Sequence, residues 1–77
     1  MATADIDRQV TDHLASLIRK GEAAETIGEI SDQLLISVTH VRGSIRRLVG
    51  YGEVRLAGTA ANGAKTWTLT AASEVAP

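Results

Sequence analysis

The chain has 77 residues, 44% of them hydrophobic and 22% charged, with a formal net charge of −1. That length supports one domain near the lower size limit for a self-supporting core, and the composition is that of a soluble globular protein, neither disordered nor fibrous. The lack of cysteine excludes a disulfide framework and thiolate metal ligation. No apolar run approaches the ~20 residues of a bilayer span and the first residues, MATADIDRQV, carry no signal-peptide pattern, so the expected location is cytoplasmic.

Charge is divided unevenly along the chain. Residues 1–35 hold seven acids against three bases, a balance of −4, whereas residues 36–77 hold five bases against two acids, a balance of +3. Such asymmetry points to an anionic partner for the second half. The two aromatic residues are Tyr51 and Trp67, so the core must be built from Leu, Ile, Val and Ala.

Ile6, Val10, Leu14, Leu17 and Ile18 recur with the 3.6-residue period, which predicts a first helix from about Asp5 to Lys20. Asp5 and Asp7 suit the positive end of its dipole, and Gly21 supplies the residue that ends it. His13 falls at the rim of the apolar stripe. Thr26-Ile27-Gly28-Glu29 has the spacing of a capping box and opens a second helix of about eight to nine residues, with Ile27, Ile30, Leu34 and Leu35 on its apolar face. Ser37 caps a third helix, Val38 to Val49, whose buried stripe is Val41, Ile45, Leu48 and Val49. Thr39, Gly43, Arg46 and Arg47 lie on the opposite face, flanked by His40 and Arg42.

Gly50-Tyr51-Gly52 stops that helix, and the period then changes from 3.6 to 2. Val54 and Leu56 alternate with Arg55 and Ala57, and Trp67 and Leu69 with threonines; Asn62-Gly63 marks the turn of a hairpin, since both residues tolerate positive φ. A two-stranded hairpin is marginal alone, so Val54, Leu56, Trp67 and Leu69 should face the helices. The tail 71–77 has no pattern and is expected to fray. The whole reads as one α+β domain, mainly α, with its core over residues 5–70.

Glu29-Ile30-Ser31, the run Leu34 to Val41, Ile45-Arg46-Arg47-Leu48-Val49 and Gly52-Glu53-Val54 resemble the winged helix-turn-helix family over roughly residues 6–70. The resemblance implies three helices with a C-terminal two-stranded β-hairpin wing over 53–70, and sequence-specific binding of double-stranded DNA as a prokaryotic or phage transcriptional regulator. The helix opening at Ser37 would enter the major groove. Thr39, His40 and Arg46 would meet base edges, Arg42 and Arg47 flanking phosphates, and Arg55 and Lys65 the backbone or minor groove. Gly43 would let the helix axis approach closely, and Val38 and Thr39 would offer methyl groups to thymine. Two positions depart from the family pattern. Ser31 stands where a small residue, commonly Ala, is usual, and Leu35 where Gly is frequent. Leucine resists positive φ, so a continued or 3₁₀ helical end is expected at Leu35.

With about five to seven usable cations, one protomer should bind weakly, which favours a homodimer on pseudo-palindromic DNA. The alternative is a protein-interaction module whose arginine face meets an acidic partner, a reading supported by the acidic first half and a pI near 6.0. RNA or single-strand binding is disfavoured by the shortage of aromatics. Ser31, Ser37 and Ser44 are explained by capping and packing, the two histidines have no ligand spacing, and no catalytic triad or phosphate loop is present in the pattern. No enzyme activity, cofactor or metal is expected.

Overall fold

The computed structural model describes residues 2–70. The tail 71–77, expected to fray, lies outside the described residues. Elements run in the order α1 (Thr3–Arg19), β1 (Glu25–Thr26), α2 (Ile27–Leu34), α3 (Val38–Gly50), β2 (Val54–Thr59) and β3 (Lys65–Leu69). The fold is α+β and mainly helical, and its sheet has three antiparallel strands in the order β1-β3-β2, not the two expected from the hairpin alone. β1 is only two residues long, too short to show an alternation; Glu25 pairs with Trp67 and Thr26 with Thr66.

Helix ends follow the local chemistry. α1 begins two residues before the expected Asp5 and has no side-chain cap. Its C-terminus is a Schellman motif: Gly21, at φ +69°, donates to the Ile18 carbonyl and Glu22 to that of Leu17. α3 ends the same way, with Gly52 at φ +77° and bonds from Gly52 to Val49 and from Glu53 to Leu48. The capping box of α2 forms as its spacing predicts. Thr26 Oγ1 accepts from the Glu29 amide at 3.1 Å, and Glu29 Oε1 accepts from the Thr26 amide at 2.8 Å. Ser37 Oγ accepts from the His40 amide and caps α3.

The turn between α2 and α3 overturns the expectation at Leu35. Instead of a continued or 3₁₀ end, Leu35 adopts the left-handed conformation, φ 57° and ψ 39°, and is the non-glycine residue with positive φ among those described. Its side chain is 92% exposed and so does not join the apolar face of α2. The turn reverses the chain so that Ile36 enters the core, while Ser31 Oγ donates to the Ile36 carbonyl and the Ile36 amide donates to Ser31. Ser31 is therefore a brace for the turn as well as a small packing residue.

One core joins all layers: Ile6, Val10, Leu14 and Leu17 of α1, Ile30 of α2, Ile36, then Val41, Ile45 and Leu48 of α3, with Val54 and Leu69 from the hairpin. Trp67, Ile27 and Leu34 pack against it half-buried. Besides Leu35, three residues expected inside lie substantially outside. Ile18 and Val49 sit at the edges of their helical stripes, at 40% and 43% exposure. Leu56 pairs with Trp67 at the outer part of the hairpin and is 50% exposed. The ladder shifts register between Leu56 and Gly58, as at a β-bulge, which interrupts the pairing just beyond it. At the hairpin tip only Gly63 of the Asn62-Gly63 pair has positive φ; Asn62 contributes through its side chain, accepting from the Ala64 amide at 2.9 Å.

Candidate nucleic-acid interface

Val41, Ser44, Ile45 and Leu48 bury one side of α3. At ~100° per residue, Thr39, Gly43, Arg46 and Gly50 then point away from the core. Val38, Arg42 and Val49 lie on the side toward the hairpin, and His40 and Arg47 on the side toward α1. A five-residue turn, 60–64, joins β2 to β3, and between β3 and α3 runs an open cleft of about 740 Å³. Its α3 wall is Val38, Arg42, Ile45, Arg46 and Val49; Lys65 and Trp67 of β3 face them, and the N-terminus of α2 closes one end. Every ionisable side chain on that lining is a cation: Arg42, Arg46 and Lys65.

Of the residues expected from sequence to form the site, the structure brings Arg42, Arg46 and Lys65 together on this cleft. Thr39 and His40 are exposed on α3 outside the cleft, and Ser37 is engaged as the helix cap. Gly43 is half-buried on α3; a Cβ built there would meet only Arg47 Nη1, at an ordinary 3.5 Å. Arg55 is exposed, pairs across the ladder with Thr68, and so projects from the sheet face opposite to Leu56 and Trp67. Arg42, Arg46, Arg55 and Lys65 make no ion pair among the described residues.

Arg47 is placed differently. Its guanidinium grips the Asp7 carboxylate of α1 with two groups, Nη2 to Oδ1 at 2.7 Å and Nε to Oδ2 at 3.1 Å. Asp7, expected to serve the dipole at the start of α1, stands instead in the second turn and answers a residue 40 positions away. The hydrogen-bonded guanidinium holds the Asp7 carboxyl below the usual carboxylate range, against the opposing effect of its partial burial. Arg47 therefore fixes α1 on α3 and is not presented beside Arg42 and Arg46. Further along α1, His13 Nε2 and Glu25 Oε1 lie 2.6 Å apart, both side chains largely buried, and tie α1 to β1.

Sequence reasoning missed the apolar part of the cleft. Val49 adjoins Leu48 and so reads as core in the sequence, yet on a helical wheel it falls only ~20° from Arg42. The half-buried Trp67 and the Thr26–Gly28 segment could not be placed there without knowing that β1 brings the start of α2 to β3.

Comparison of this chain with family models, with curated proteins and with solved structures found no match. Among the described residues no helix is long and apolar enough to cross a membrane.

Proposed function

We propose that this protein is a winged helix-turn-helix DNA-binding domain that recognises double-stranded DNA, with α3 as the recognition helix and the β2–β3 hairpin as the wing. The observation that carries the reading is the cleft between these two elements, whose charged lining, Arg42, Arg46 and Lys65, is wholly cationic in a chain of net charge −1. Cations concentrated on one concave face, with the compensating acids elsewhere, create a local attraction for a polyanion that the net charge conceals. The element order supports the same reading, since an exposed helix following a tight turn can enter a major groove about 12 Å wide while the hairpin reaches the adjoining backbone.

In this scheme Arg46 and Thr39 reach base edges, Arg42, Lys65 and Arg55 contact phosphates, and Ser37, His40 and Gly43 border the contact. Arg47 leaves the contact set and acts as the strut that holds α3 at a fixed angle to α1. A homodimer on two half-sites supplies the affinity that four cations per protomer lack, and the use proposed for such binding is regulation of transcription in a prokaryote or phage. The test is amide chemical-shift mapping of the labelled protein titrated with a random-sequence duplex. Shifts concentrated on residues 37–50 and on the hairpin support the reading; shifts confined to α1, or none, refute it.

One observation favours a second reading. Val38, Val49 and Trp67 give the cleft an apolar floor between its cations, which would equally suit an acidic, amphipathic segment of a protein partner. Charge reversal at Arg46 separates the two, because under the second reading duplex DNA causes no shifts in either form.

A further inference from the structure

A duplex offers nothing that matches the apolar floor of the cleft between α3 and β3. In double-stranded DNA both faces of each base are covered by stacked neighbours, so a protein meets base edges and phosphates. The floor presents a different surface, the half-buried Trp67 together with Val38 and Val49. Cations stand on both walls above it, Arg42 and Arg46 about one helical turn apart on α3 and Lys65 on β3. No acid shares the lining, and among the described residues no ion pair neutralises these three side chains. Ile27 and Gly28, the first residues of α2, close one end, and their amides have no acceptor within the helix. The volume of about 740 Å³ falls inside the range of small-molecule sites, about 300–1,000 Å³.

We infer that this cleft is a binding site for a free mononucleotide, a planar base joined to a phosphate group. Outside a duplex the base has bare faces, and one of them can lie against Trp67 while the phosphate meets Arg42, Arg46 and Lys65. Charge selects the anion. A phosphate monoester carries about −1.5 to −2 at neutral pH and several acceptor oxygens, which matches three convergent cations better than the single charge of a carboxylate. The aromatic lining selects the rest. One indole serves one ring, which suits a mononucleotide and not a single strand, whose successive bases need successive platforms. Occupation of the cleft does not require that the protein bind DNA. Where it binds both, nucleotide and duplex claim the same three cations and exclude one another.

The test is calorimetric titration of the whole chain, without DNA, against each of the four ribonucleoside monophosphates. Trp67 is the one tryptophan of the sequence, so its emission reports contact with the base directly. The expected result is saturable binding of at least one nucleotide with a change in Trp67 emission. Ribose 5-phosphate, which lacks the base, should bind about 5- to 150-fold more weakly, the worth of one base–aromatic stack. Arg46→Gln, at an exposed position that the fold tolerates, should weaken the nucleotide about ten-fold or more. Arg55→Gln removes the same charge from the opposite sheet face and should leave the affinity unchanged. Equal affinity for nucleotide and ribose 5-phosphate, equal losses in Arg46→Gln and Arg55→Gln, or binding of no nucleotide overturns the inference. Capture of an acidic amphipathic peptide with no nucleotide bound also overturns it, in favour of the protein-partner reading. Parallel titration with a duplex separates the two proposals: duplex binding without nucleotide binding overturns this inference alone, and nucleotide binding without duplex binding supports it and overturns the DNA-binding reading alone.

Discussion

Replacing Leu35 by glycine should make the protein more stable, which is the reverse of what loss of a leucine usually does. The side chain is 92% exposed, so its removal forfeits almost no buried surface. Its backbone is held at φ 57° and ψ 39°, where a residue with a Cβ meets the following carbonyl at a cost of about 1–2 kcal/mol. Glycine escapes that cost but has more freedom to lose on folding, about 0.5–1 kcal/mol. The difference leaves a gain of about 0.5–1 kcal/mol, and for a domain of this size each kcal/mol moves the thermal midpoint by about 4–8 °C. Calorimetry or circular-dichroism melting should therefore show Leu35→Gly melting about 2–8 °C above wild type. Leu35→Ala retains the Cβ and the conformational cost, and its midpoint should stay close to wild type. If Leu35→Gly melts lower than wild type, or if alanine stabilises as much as glycine, the left-handed turn is not the source of the strain and the reasoning fails.

Three other outcomes follow from the geometry. Asp7→Asn removes the carboxylate that Arg47 grips and should lower the melting midpoint at neutral pH. Because the folded-state pKa of Asp7 lies below its unfolded value, the stability it contributes is present above about pH 4 and is lost as pH falls through the lower folded value. The gap between wild type and Asp7→Asn should close in strong acid, and a gap that stays constant with pH would show that the ion pair contributes nothing. Gly43→Ala meets only ordinary contact and should stabilise α3 by about 0.5–1 kcal/mol in urea denaturation, while weakening duplex binding because the new methyl stands beside the reading face. Destabilisation there would mean that α1 or Arg47 lies closer than the structure has it. Ser31→Ala loses the hydroxyl that braces Ile36 and should cost about 1 kcal/mol by the same assay; an unchanged midpoint would show the hydrogen bond to be incidental.

Wherever a signal was local, it was legible in the sequence. The capping box at Thr26, the glycine stops at Gly21 and Gly52 and the serine cap at Ser37 each depend on residues within one helical turn, and all four form as their spacing dictates. Features set by distant parts of the chain were not legible. β1 exists because Thr66 and Trp67 provide a strand edge for Glu25 and Thr26, and nothing in a two-residue segment announces that partner. Asp7 reads as a dipole residue until α3 brings Arg47 against it. Leu35 broke the rule for its residue type because inserting Ile36 into the core required a left-handed turn there, and tertiary packing outweighed local preference. For the candidate site, the arginine-rich face of α3 was readable from helical spacing. Which of those arginines stand free was not, because that depends on what α1 and the hairpin place beside them.

The cationic cleft is tested most directly by fluorescence anisotropy of a labelled random-sequence duplex across a series of salt concentrations. Four unpaired cations, Arg42, Arg46, Arg55 and Lys65, predict a slope of log affinity against log salt of about −3 to −4 per protomer. Between 50 and 200 mM salt that slope amounts to a loss of roughly 100-fold. Arg46→Glu should abolish most of the binding and flatten what remains, whereas Arg55→Gln, on the outer sheet face, should reduce the slope by about one. Absence of binding at about 50 mM salt, or wild-type binding by Arg46→Glu, would contradict the assignment of this cleft to DNA.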